Sequence, residues 1–183
     1  RSSDLYILFY GQGVTKWAYD KSKSIFTHNI NIYSKYGYYF ITSDAGVGKR
    51  IEEKSNDIPS SAPINVVQEF SDYQVHESEL VNLAKSGKEF YGETFNEVLS
   101  YNFPFNFPNP VTTSPATARI SVAANSPAAS NFSLSLNGGQ TKTLAVSPKS
   151  NDIYTVAMVA ASTFSFTPTN SPLSFNVTYS KTV

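Results

Sequence analysis

Along the second half of the chain, apolar and hydroxylated residues alternate with a period of two, and that pattern excludes most folds. Phe132, Leu134 and Leu136 are interleaved with Ser133 and Ser135, and Phe164 and Phe166 flank Ser165. A period of two sorts side chains onto the two faces of an extended strand, whereas a helix needs apolar residues every three to four positions. Five runs have strand length: residues 119–123, 132–136, 154–159, 163–167 and 173–179. Asn137-Gly138-Gly139 follows the second run with the composition of a hairpin turn. Pro127, Pro148, Pro168 and Pro172 fall between runs, where a missing N–H harms no ladder. The predicted fold class is all-β, with an antiparallel β-sandwich of jelly-roll type in the C-terminal half.

The first half has a different texture. Residues 5–9 form a compact apolar run of strand length, broken by Gly11-Gln12-Gly13. Phe26, His28, Ile30, Ile32 and Ser34 share one parity, and Gly37 permits a turn into Tyr38-Tyr39-Phe40, so residues 25–43 are predicted to form a β-hairpin. Residues 54–63 are polar and carry Pro59 and Pro63, as an exposed loop does. Residues 77–84 are predicted as one short helix, with Ser78 as cap, Leu80, Val81 and Leu83 as apolar contacts, and Gly87 as terminator. Charge divides the halves. Residues 1–100 hold ten Lys/Arg and thirteen Asp/Glu, while the remainder holds only Arg119, Lys142, Lys149, Lys181 and Asp152. That step predicts two units: an aromatic-rich, hairpin-rich region at 1–98 and a β-sandwich domain at 99–183.

The formal net charge is +0, so no basic field points to nucleic acid. With no cysteine there is no disulfide, thiolate metal site or thiol nucleophile. No apolar run reaches the roughly 20 residues that span a bilayer as a helix. Gly46-Val47-Gly48-Lys49-Arg50 has Ser43 where a phosphate-binding loop needs glycine and Arg50 where it needs Ser or Thr; a turn is the better reading. His28 and His76 lack neighbours at metal-ligand spacing, and no nucleophile elbow surrounds any serine. No catalytic residue, metal ligand or cofactor site is therefore expected. Trp17 and Tyr19 are the remaining candidates, as a sugar-stacking platform or, more in keeping with the crowd of aromatics around them, as core.

Several words follow one another in a characteristic order. They are Phe9-Tyr10-Gly11-Gln12-Gly13, Trp17-Ala18-Tyr19-Asp20, Phe26-Thr27-His28, Asn31-Ile32-Tyr33-Ser34 and Tyr38-Tyr39-Phe40. Gly48-Lys49-Arg50-Ile51 and Phe70-Ser71-Asp72-Tyr73-Gln74-Val75-His76-Glu77 follow. Asn82-Leu83 then leads to Ser86-Gly87-Lys88-Glu89-Phe90-Tyr91-Gly92-Glu93-Thr94-Phe95. In this order the words resemble the segment ahead of the peptidase domain in the type IX secretion sortases, which are gingipain-type cysteine peptidases. Lys88 and Phe90 stand where that pattern has arginine and tryptophan. The resemblance implies a parent protein at the extracellular face of the outer membrane. Such a protein removes C-terminal sorting signals and transfers cargo to lipopolysaccharide through an acyl-enzyme. Its catalytic histidine and cysteine would lie beyond Val183, and none of them maps onto this chain. The implied partners are the chain's own downstream peptidase domain, cargo C-terminal signals and outer-membrane secretion components. A start at Arg1 fits a processed fragment. The alternative reading is a carbohydrate-binding or adhesive surface module.

Overall fold

The computed structural model describes residues 8–42, 46–47, 65–87 and 89–181. The strands, in chain order, are β1 (Thr15–Asp20), β2 (Ile25–Ile30), β3 (Ser100–Phe105), β4 (Ala116–Ala124), β5 (Ser130–Leu136), β6 (Thr141–Val146), β7 (Met158–Phe166) and β8 (Leu173–Lys181). Every pairing is antiparallel, and there is no helix among the described residues. The protein is all-β. It forms two compact units, Arg1–Ser71 and Asp72–Val183. Compactness thus divides before the charge step near Leu99. Residues 72–98 pack on the β3 segment through Gln74 Nε2, which donates to the Asn106 carbonyl at 2.5 Å, and through the His76 ring, 4.8 Å from that of Phe103.

In the first unit, β1 and β2 pair in register from Thr15↔Ile30 to Asp20↔Ile25. The turn between them is organised by Asp20. Its Oδ1 accepts the Ser22 amide and hydroxyl at 2.9 and 2.6 Å, and Ser24 takes a φ of 50°. The hairpin predicted over 25–43 is thereby corrected. β2 turns back onto β1, and residues 38–42 are not strand, because Asp20-Lys21-Ser22-Lys23 supplies an Asx turn earlier in the chain than Gly37. The predicted strand at 5–9 and loop at 54–63 lie largely or wholly outside the described residues.

The second unit builds a four-stranded sheet, order β3-β8-β5-β6, and a separate pair, β4-β7. The chain changes sheet on entering and on leaving both β4 and β7. β5 shows why. Ser130, Phe132, Leu134 and Leu136 face inward, and Asn131, Ser133 and Ser135 face outward. The inward set joins Leu173, Phe175 and Val177 of β8, Val146 of β6, Val122 and Ala124 of β4 and Phe166 of β7 in one core. Each large apolar side chain so buried contributes roughly 1.5–3 kcal/mol. On the opposite face, short polar side chains bond across strands. Ser100 Oγ donates to Asn176 Oδ1 at 3.0 Å and Ser174 Oγ to Asn102 Oδ1 at 2.9 Å.

The β5–β6 turn is as expected. Asn137 and Gly138 both have positive φ, 47° and 71°, and Gly139 N–H donates to the Leu136 carbonyl at 2.8 Å, a type I′ turn. Residues 154–159 and 163–167 do not form two strands; β7 runs through 158–166 as one. β3 and β6 were not anticipated, since Pro104 interrupts one and Lys142 the other's apolar pattern. β3 is an edge strand, where proline is tolerated.

The helix predicted over 77–84 is corrected too. The Leu80 and Val81 amides both donate to the Tyr91 carbonyl, and the Tyr91 amide donates to the Val81 carbonyl, at 2.8–2.9 Å. Eight residues are too few to stabilise an isolated helix. The chain instead reverses between the paired positions, with Lys85 and Gly87 at φ of 52° and 70°.

Candidate functional site

On the β1–β2 ribbon, period-two geometry puts Trp17 and Tyr19 on one face, opposite His28 and Phe26 respectively. Trp17 and His28 rings lie 4.9 Å apart at 36°, and Tyr19 and Phe26 rings 4.9 Å apart at 45°. Four rings thus form a short strip. Trp17 retains 36% and Tyr19 47% of its surface, so the strip is not a closed core. Its aromatic faces, with the His28 imidazole beside them, suit stacking on an apolar or C–H-rich surface.

A second aromatic group borders the glycines of residues 11–13. Phe9 packs on Tyr39 at 5.3 Å, and the Tyr39 hydroxyl donates to the Gln12 carbonyl at 2.6 Å. A Cβ on Gly11 would lie 3.6 Å from that hydroxyl oxygen, so glycine lets the Tyr39 ring sit close over the backbone. Around this contact Tyr10, Tyr33, Tyr36, Tyr38 and Phe40 are largely exposed, Phe40 at 97%. Among the described residues of this unit, no apolar side chain is buried.

The second unit carries a different cluster. His76 Nε2 lies 2.8 Å from Glu93 Oε1, and the imidazole stacks on Phe103 of β3. The Val81–Tyr91 bridge folds the chain back so that these residues meet, which no local spacing would have revealed. Beside them burial, and then the Glu89 carboxylate accepting its hydroxyl at 2.9 Å, push the Tyr91 phenol up to about 12. His76, Glu93 and Phe103 tie residues 72–98 to the sheet. Between β6 and β7, Asp152 accepts the Tyr154 and Thr155 amides at 2.8 and 2.7 Å. The Ser150 hydroxyl, then that of Thr155, hold its carboxyl well below the usual carboxylate range. Both clusters are structural in form. Among the described residues no three His, Asp or Glu side chains are grouped to hold a metal ion.

Of the sequence-predicted candidates, Trp17 and Tyr19 are brought together on one face, and His28, which has no neighbour at metal-ligand spacing, joins them. Glu93 is the partner of His76 that sequence reasoning missed. Gly48 to Arg50 lie outside the described residues. The chain matches no family model, no curated protein and no solved structure.

Proposed function

We propose that this chain is a non-catalytic segment of a cell-surface type IX secretion sortase, preceding the peptidase domain. Its role is to scaffold that domain or to dock cargo C-terminal signals and outer-membrane secretion components. It works at the extracellular face of the outer membrane, and the cysteine and histidine of the reaction belong to the downstream domain. The ordered sequence words motivate this reading, and one observation of the fold carries it. Among its described residues the first unit leaves many aromatic rings on the surface: Tyr10, Tyr33, Tyr38 and Phe40 are each more than three-quarters exposed. Exposed apolar surface on that scale marks an interaction site. A segment that is one part of a larger enzyme has such a surface to offer.

The test compares this chain alone with the same chain continued through its downstream sequence, by hydroxyl-radical labelling of residues 8–41. Protection of Tyr33, Tyr38 and Phe40 in the longer protein is expected. Equal labelling in both, or a downstream sequence without a gingipain-like histidine and cysteine, refutes the reading.

One observation favours a second reading, a carbohydrate-binding or adhesive module. Trp17 and Tyr19 stand on the same face of a ribbon and remain partly open to solvent. Saturable quenching of Trp17 fluorescence by a soluble glycan, lost in Tyr19→Ala, would favour that module over the sortase segment.

A further inference from the structure

Strands β4 and β7 form a sheet of their own, each hydrogen-bonded to the other and, among the described residues, to no third strand. Both are nine residues long, and their register runs unbroken from Ala116↔Phe166 to Ala124↔Met158. In an antiparallel pair alternate residues direct N–H and C=O at the partner, and those between direct both groups outward. About half of the backbone groups of β4 therefore point away from β7. Among the described residues neither a loop backbone nor a side chain meets them.

Proteins blunt such edges with proline, charge, a bulge or a covering segment. The β3 edge carries Pro104, and the β6 edge is short and carries Lys142. β7 runs close to β6. β4 has no proline and no bulge, and its one charge, Arg119, stands on the exposed face. Its inward face is unevenly covered. Val122 and Ala124 are buried, whereas Ala116, Ala118 and Ile120 pack against the core but are only partly enclosed. A further strand beside β4 would satisfy the backbone and enclose those three side chains together.

We infer that the free edge of β4 accepts an extended segment of another polypeptide, which adds as a third strand to the β4–β7 sheet. The chemistry of the edge selects this occupant. Donors and acceptors repeating every second residue, roughly 6.8 Å along a strand, match another extended backbone and neither a glycan nor a lipid. The segment would be uncharged where it faces the core, with apolar or small residues opposite Ala116, Ala118 and Ile120, as Phe166, Phe164 and Ser162 of β7 are on the other side. A second copy of β4 is disfavoured. In full antiparallel overlap the two Arg119 side chains would lie diagonally on one face, a like-charge pairing. The inference stands on the sheet itself and is independent of the sortase reading.

The test adds a lysine-flanked peptide copying Met158–Phe166, the sequence β4 already pairs with, to the whole chain, and follows backbone amide exchange by NMR. Alternate amides of residues 116–124, fast in the free chain, should become protected on titration. A peptide N-methylated at alternate positions along its pairing edge should bind at least about tenfold more weakly, because each methyl removes a ladder donor. Thr117→Lys combined with Ser121→Lys should weaken binding to a similar degree and leave the thermal melt unchanged, since both side chains are exposed. Four results would each overturn the inference: no protection of β4, equal protection by the N-methylated peptide, protection confined to β3 or β6, or β4 amides already protected in a concentration-dependent dimer.

Discussion

Replacing Phe166 by alanine removes a ring that is 1% exposed and lies where the two sheets of the second unit meet. It packs on Phe175 of β8 at 5.3 Å in an edge-to-face arrangement, 74° between planes. Truncating a buried Phe to Ala costs about 3–5 kcal/mol. Edge-to-face pairs add about 0.5–1.5 kcal/mol beyond area, so the upper half of that range is expected. A single unit of this size has a total stability of about 5–15 kcal/mol. With a urea dependence of about 1.5–2 kcal/mol per molar, Phe166→Ala should lower the midpoint by about 2–3 M. Trp17 belongs to the other unit, so its fluorescence is the wrong probe. Far-UV circular dichroism and exchange of the Phe132 and Leu134 amides report on the correct sheet. Because the alanine variant can fail to fold, Phe166→Leu is the companion, with an expected loss of about 1–1.5 kcal/mol. If Phe166→Ala shifts the midpoint no more than Thr163→Ala, an exposed position on the same strand, the shared core is refuted.

Trp17→Ala should cost under about 2 kcal/mol, less than a core aromatic, because Trp17 is 36% exposed and makes its ring contact across a hairpin; a loss as large as that of Phe166→Ala in urea unfolding would contradict the open strip. Gly138→Ala should destabilise the β5–β6 hairpin by about 1 kcal/mol, seen as a lower thermal midpoint, since φ is +71° while the space around it is empty. The Asp152 carboxyl should titrate below the ordinary value of about 3.9 in a carbon-detected NMR titration. A depressed folded-state pKa means its hydrogen bonds from Ser150 and Thr155 contribute above the unfolded value and are lost as pH falls through the folded one. Asp152→Ala should therefore remove the acid-dependent increase in Tyr154 and Thr155 amide exchange. Finally, the purified chain should neither cleave nor transfer a C-terminal sorting-signal peptide in a mass-spectrometric assay, as it has no thiol; turnover that survives contaminant controls refutes the assignment of catalysis to another domain.

Period-two alternation tells the two sheet faces apart from the sequence alone. Phe132, Leu134 and Leu136 went inward and their serines outward, and Asn137-Gly138 marked the turn, because side-chain parity and positive φ are properties of adjacent residues. β3 and β6 were illegible for the converse reason. Their strand state comes from pairing with β8 and β5, partners some 70 and 10 positions away. The segment 77–84 shows the same limit. Its local pattern permits a helix, and only the Val81–Tyr91 bridge, with His76 meeting Glu93 and Phe103, decides for extended chain.

At the candidate sites, the sequence by itself determined which residue types were present: an aromatic crowd in the first unit, and no thiol anywhere. Burial was a tertiary decision. Whether an aromatic residue is core or surface depends on what the rest of the chain brings to cover it, and the first unit leaves Tyr33 and Phe40 in solvent while the second encloses Phe166 and Phe132. The open edge of β4 is of the same kind. A strand's own residues set its two faces, but whether its outward N–H and C=O groups find a partner depends on which other strands the fold places beside it.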